Sequence, residues 1–330
     1  MTLLLREDDV RAVLTMPDTI AVLDAAFRRQ ATGETRNNPR SRVVLPEARG
    51  VLHVLSAFAP GEPGHPERDG PGLFGLKTYS VVAGVVRFAV LLYSGADGKL
   101  LAIIEADWLG QMRTGAASGL ATRYMARPDA DTLALIGSGG QARTQALAIS
   151  AARPLKRVAV YGRDPERRER FCEEMGTQTG LNMVPVASAE EAVRDAAIVV
   201  TATTARDPVV LGEWLPTGAH VNAMGSNWGN RRELDDVAVE RSAVVAVDAL
   251  DQAQIEAGDL LIPAEHGRFD FARAVELGHV VAGETPGRTS PDDITLFKSL
   301  GIALEDIAVA GHVYAIAQEQ GRGDEINLLP

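Results

Sequence analysis

The stretch DTLALIGSGGQA, Asp131 to Ala142, restricts the fold more than any other part of the chain. An apolar run from Leu133 to Ile136 opens through Gly137, Ser138, Gly139, Gly140 and Gln141 to Ala142, then continues into the helix-like RTQALAISAAR. A short buried strand that passes through small residues into a helix offers a phosphate both backbone N–H groups and the positive end of the helix dipole. At this spacing Gly137 permits the tight turn, Gly139 lets the backbone approach a pyrophosphate, and Ala142 allows close packing of helix on strand. The loop therefore places Gly137, Gly139, Gly140, Gln141 and Ala142 at a dinucleotide.

A second strand, Arg157 to Tyr161, ends about 20 residues on, where ribose recognition belongs in such a fold. Gly162 stands where an acid would hold the free 2′-hydroxyl of NAD, and Arg163 follows it. Glycine plus arginine suits a 2′-phosphate, so NADP is favoured over NAD. Arg167 and Arg168 read instead as the solvated start of the next helix, with Asp164 as cap and Pro165 in its first turn.

Beyond these two strands the pattern alternates strand and helix, with strands near Asn182 to Val186, Ile198 to Thr203, His220 to Met224 and Ala243 to Val247. That rhythm predicts an α/β doubly wound sheet. Helices are expected at Leu250 to Leu260 and Phe269 to Leu277, and ITLFKSLGIALEDIAVAGHVYAIAQEQ reads as a long final helical region interrupted at Gly301. Ahead of the sheet, TIAVLDAAFRRQATG is helical after Pro17, and two strands flank a turn near Glu47 to Gly50. Three further strands fall at Leu73 to Val82, Val85 to Ser94 and Leu100 to Glu105, following a Pro/Gly-rich loop from Pro60 to Gly72. DWLGQMRTGAASGLATRYM reads as a helix whose small residues let a neighbour approach closely.

The first of those three strands carries Lys77 in an otherwise apolar GLKTYSV, and a lysine there must either snorkel or meet an anion. Arg40, Arg42 and His53 lie in or beside the earlier pair, where arginine is usually a surface residue and histidine a packing one.

At 330 residues the chain exceeds the usual size of a single core, so one large or two intimate domains are expected, and a 46% apolar content is ample for a sizeable core. A net charge of −11 argues against nucleic acid or an anionic membrane as partner. Cys172 is the single cysteine, which excludes an intrachain disulfide and fits a reducing cytoplasm. Six scattered histidines give no ligand spacing, so no metal is expected. The apolar run in MTLLLREDD is too short for a signal peptide, and Val81 to Leu92 is split by Arg87.

RTGAASGLATRYMARPDADTLALIGSGGQARTQALA, VNAMGSNWGNRRELD and DITLFKSLGIALEDIAVA, with the earlier GLKTYSV, together resemble the ornithine cyclodeaminase/mu-crystallin family over nearly the whole chain. The resemblance implies a Rossmann NAD(P)-binding domain at 116–301, inserted in a substrate-binding and dimerisation domain formed by 1–115 and 302–330. It further implies a homodimer that handles a small imino or amino acid at its α-carbon. By the same resemblance Arg42, Lys77 and Arg113 bind the substrate carboxylate, a task suited to bidentate arginine. Thr114, Thr203, Met224 and Lys298 are then expected beside the cofactor.

One position departs from the family's pattern. Where the cyclodeaminases carry an aspartate after this strand, NAMGSN has Asn227, and an amide can neither act as a carboxylate base nor neutralise an ammonium. With Lys77, Arg113 and Asn227 as the catalytic set, the expectation is an NAD(P)H-dependent imine reductase or amino-acid dehydrogenase. Its substrate would be a small α-imino acid, including a dicarboxylate such as iminosuccinate, in preference to ammonia loss from ornithine or to ligand binding without turnover.

Overall fold

A computed structural model defines the fold over residues 1–61 and 70–328; residues 62–69 of the expected loop lie outside the described residues. Strands run in chain order as β1 (Thr2–Leu5), β2 (Arg36–Leu45), β3 (Gly50–Ala59), β4 (Leu73–Val82), β5 (Val85–Ser94), β6 (Leu100–Glu105), β7 (Thr132–Ile136) and β8 (Arg157–Tyr161). They continue as β9 (Met183–Pro185), β10 (Ile198–Thr201), β11 (His220–Ala223), β12 (Ser242–Val247), β13 (Ala274–Glu276), β14 (Ile294–Lys298) and β15 (Asp324–Ile326). The chain divides into two compact units, Met1–Arg113 with Gly301–Pro330, and Thr114–Leu300.

The first unit holds a sheet ordered β15-β1-β6-β5-β4-β3-β2, antiparallel except where β1 joins β6. MTLLL supplies β1, which becomes a strand by pairing with β6. Over His53–Ala59 of β3, and around Gly75–Lys77 of β4 and Val90–Leu92 of β5, buried and half-buried residues alternate, the signature of a sheet with one covered face. Leu55, Ala57, Lys77, Val90 and Leu92 point to the covered face, against which the final helix, Ala303–Glu319, packs. Contact there is close: a Cβ on Gly75 would come within 2.2 Å of Ile307 Cδ1. Among the described residues the opposite face stays uncovered, with a half-buried row of Leu76, Leu91 and Ile103 in register across β4, β5 and β6. A β-bulge in β2 sets Pro39 and Arg40 against Leu55 alone, and a proline without an N–H is tolerated at such a point.

The second unit is an all-parallel sheet ordered β13-β12-β14-β11-β10-β7-β8-β9. From β7 the chain winds outward through β8 and β9, then returns to β10 on the other side of β7, so the strand order reverses beside the glycine loop. Ligands of doubly wound sheets bind at such a reversal, outside the carboxyl ends of the strands. The small residues of helix Asp107–Met125 serve close packing here: Cβ atoms on Gly115 and Gly119 would lie 2.6 and 2.9 Å from the Thr144 and Ala148 carbonyl oxygens.

Three expected helices are corrected. ITLFK is not the start of the final helix but the central strand β14, paired with β11 on one side and β12 on the other. All five of its residues are buried, and a strand covered on both faces shows no alternation that would distinguish it from a helix. Phe269 to Leu277 is a short 3₁₀ turn followed by the edge strand β13, and helix begins only at Leu277–Ala282. The helix expected at Leu250 to Leu260 is two, Leu250–Glu256 and Gly258–Glu265. Among the described residues no helix is long and apolar enough to cross a membrane.

Candidate functional site

In the first unit the lysine of β4 meets an anion. Lys77 is 2% exposed, and its Nζ donates to Asp306 Oδ1 at 2.9 Å. Gly110 leaves it room, since a Cβ there would lie 2.8 Å from Nζ. Arg113 Nη1 donates to Glu305 Oε2 at 2.7 Å, and its Nε stands 2.9 Å from Asp306 Oδ1. Both acids sit in the first turn of the final helix, where the dipole favours negative charge, and both are buried. Burial lowers the Lys77 pKa to about 8; the Arg113 and Arg40 charges lower it too, and Asp306 opposes them.

Arg40, brought inward at the bulge, is buried and donates to the Gly301 carbonyl at 2.8 Å. Gly301 has φ +74°, and a Cβ on it would sit 2.2 Å from Arg113 Nη1, so only glycine fits. Arg42 is half-buried directly across from His53, whose ring stacks on Tyr79 at 4.1 Å. Burial, then Arg40 and Arg42, hold His53 down at about 4, which keeps the imidazole neutral at pH 7. Arg42, His53 and Lys77 lie on the same sheet face, which collects the expected cations of this unit together with Arg40.

In the second unit β7 ends in the glycine loop. Gly137 has φ +127°, and a Cβ on it would lie 2.3 Å from the Ala202 carbonyl oxygen, so both its conformation and its neighbour demand glycine. Gly139 caps helix Gly140–Ala152 without a side-chain bond, leaving the first N–H groups available to an anion. Ala142 is fully buried, Gln141 half-buried, and the Thr114 carbonyl accepts from Gln145 at 3.2 Å. Beside the loop lies a recess of about 270 Å³ lined by Ser138, Gly139, Arg143, Arg167 and Arg170 among others. Arg163 is exposed and not among that lining, whereas Arg167, read from sequence as part of a solvated helix start, is. Asp164 does cap that helix, accepting from Arg167 N at 3.1 Å.

Two residues expected beside the cofactor are occupied within the fold. Thr203 gives both its N–H (2.8 Å) and its hydroxyl (2.7 Å) to Glu233 Oε1. Lys298 is fully buried, its Nζ 3.0 Å from Asp259 Oδ2 and 2.5 Å from the Ser226 carbonyl. Met224 and Asn227 are half-buried at and beyond the end of β11. Sequence reasoning passed over Glu233, Asp259, Glu305 and Asp306. The first, third and fourth stood in the motifs already singled out; for Glu305 and Asp306 the available signal was two acids inside an apolar stretch, whereas Glu233, in NRRELDD, carried none.

The doubly wound sheet and its strained glycine turn define a dinucleotide-binding protein of the Rossmann class. The chain belongs to the ornithine cyclodeaminase/mu-crystallin family, whose model matches residues 1–321. A Delta(1)-pyrroline-2-carboxylate reductase of Bacillus cereus is 33% identical over 98% of this chain and 99% of its own length. The structure of Thermococcus litoralis Delta(1)-pyrroline-2-carboxylate reductase in complex with NADH and L-proline superposes with a TM-score of 0.91. It shares 34% identity, and the match spans 98% of this chain and 100% of that one. An archaeal alanine dehydrogenase dimer with bound NAD gives a TM-score of 0.90 at 29% identity, over 99% of both chains. Over nearly its full length the chain is thus similar to proteins named as imino-acid reductases and amino-acid dehydrogenases.

Proposed function

We propose that this protein reduces a small α-imino acid to the amino acid, with NADPH as the preferred donor. The buried Lys77–Asp306–Arg113 cluster carries the reading, supported by similarity to reductases of a cyclic imino acid. When bound, the nicotinamide supplies the hydride. Arg42 and Arg113 receive the substrate carboxylate, Arg113 being oriented by Glu305 and Asp306. The Lys77 ammonium delivers a proton to the substrate nitrogen as the α-carbon becomes tetrahedral, and Asp306 stabilises it until then. Asn227 orients substrate or water by neutral hydrogen bonds, which leaves ammonia loss without a carboxylate base.

The cofactor preference rests on Gly162 with Arg163, and on Arg167 beside the recess. Ser138 stands beside Gly162, since a Cβ on that glycine would lie 2.8 Å from Ser138 Oγ. The test is absorbance-followed turnover with cyclic and open-chain imino acids, including dicarboxylates, and with keto acids plus ammonia. Stoichiometric NADPH consumption is expected, with kcat/KM above that for NADH. Arg163→Ala and Arg167→Ala should each erode that preference by about 1.5–3 kcal/mol, or about ten- to a hundredfold. Proline and ammonia from ornithine without net cofactor use would replace this reading with a cyclodeaminase.

We also propose that the uncovered face of the first unit's sheet is the contact between two copies of the chain. Its Leu76–Leu91–Ile103 row is apolar and continuous with exposed Phe74 and Leu52, and a relative of the same fold is a dimer. Light scattering is expected to give twice the chain mass, and Leu91→Arg to give a monomer. A monomeric wild type would refute the assignment.

A further inference from the structure

Behind the glycine loop, the ends of three neighbouring strands converge on one buried carboxylate and its partners. Glu233 is fully buried and accepts four hydrogen bonds. Thr203 N and Oγ1 bind Oε1; Thr201 Oγ1 and Gly225 N bind Oε2 at 2.8 and 2.7 Å. The Thr201 hydroxyl comes from the last residue of β10, Thr203 stands two residues beyond it, and Gly225 lies two residues past the end of β11. A Cβ on Gly225 would fall 2.4 Å from Glu233 Oε1, so the loop can close on the carboxylate only with glycine there. Asp259 Oδ1 in turn accepts from the N–H groups of Glu233 and Leu234 at 2.7 and 2.9 Å. Its Oδ2 meets Lys298, the last residue of β14, which also holds the Ser226 carbonyl.

This clasp has a definite relation to the nucleotide fold. Thr201 and Thr203 flank Ala202, whose carbonyl is the atom against which Gly137 turns. In a doubly wound sheet one half, here β7-β8-β9, carries the adenosine side of a dinucleotide, and the half on the other side of the reversal carries the second nucleotide. Glu233 fixes the loops of that second half.

We infer that Glu233 is a positioning residue that shapes the nicotinamide side of the cofactor site by clasping the ends of β10 and β11. The inference rests on the nicotinamide-dependent reading above. Burial and the nearby Asp259 charge raise the pKa of Glu233, while Lys298 and the threonine hydroxyls pull it back. Four donors leave no place for an amide N–H2, so Glu233→Gln must abandon at least one backbone N–H without changing side-chain size.

The experiment titrates the purified full chain and its variants with NADPH, with NADH, and with ADP-ribose and 2′-phospho-ADP-ribose, which lack nicotinamide. Glu233→Gln is expected to weaken both dinucleotides tenfold or more while changing the nicotinamide-free ligands less than twofold. Thr203→Val, which keeps the backbone and removes one donor, is expected to do the same to a smaller degree, and Thr203→Ser to restore wild-type affinity. It serves where Glu233→Gln fails to fold. Equal weakening of all four ligands, or none, would overturn the positioning role. A wild type that binds none of them would instead remove the nucleotide reading and this inference with it.

Discussion

Lys77→Met is expected to lower reductive turnover by about 10²–10⁴-fold, the usual contribution of a positioned general acid, while leaving the NADPH dissociation constant within about twofold. The lysine belongs to the first unit and the glycine loop to the second, so the substitution separates proton delivery from cofactor binding. Methionine fills the same channel past Gly110 without a charge. The pH dependence supplies a second readout. With its pKa brought to about 8, Lys77 is protonated below that pH, so reduction is fast there and falls as pH rises through it. Amino-acid oxidation needs the neutral amine and rises over the same interval. Both limbs should vanish in Lys77→Met. Near-normal turnover in the variant, or an unchanged limb near pH 8, would remove Lys77 from the reaction.

Asp306→Asn should do comparable damage by a different route. The Asp306 carboxylate is fully buried and is shared by Lys77 and Arg113. Neutralising it strips the main influence that keeps Lys77 charged, and leaves Glu305 alone against two cations. Removing one partner of a buried ion pair costs about 3–5 kcal/mol, so unfolding in urea should shift by a comparable amount. The kcat limb should move below pH 8, and reduction at neutral pH should fall steeply as Lys77 arrives without its proton. A variant with unchanged stability and an unmoved limb would show that Asp306 does not govern the lysine.

Much of this arrangement was legible in the residues. DTLALIGSGGQA has a strand, a turn and a helix start in a fixed order, each dictated by local chemistry, and Gly137 is held where that order requires it. Lys77 in an apolar strand likewise announced a buried charge. Its partner was less legible: Asp306 lies 229 residues away and comes alongside only when the final helix covers β4. ITLFK misled because five buried residues carry no period, and only pairing with β11 and β12 on either side makes them a strand. Arg167 is exposed, as a helix start next to Pro165 predicts; that it also lines the recess beside Gly139 was not encoded in its neighbours.

Arg113 and Gly301 are the residues at which the chain leaves the first unit and returns to it, and they touch. The final helix, with both acids of the lysine cluster, is therefore synthesised only after the entire inserted unit. Joining it to β3 and β4 in an unfolded chain would mean closing a very long loop, an entropic cost that grows with the logarithm of its length. Because Arg113 and Gly301, which bracket the insert, lie in contact, a folded insert reduces that closure to a short one. The lysine cluster is thus completed by the last part of the chain to be made, and its closure is easiest once the insert has folded.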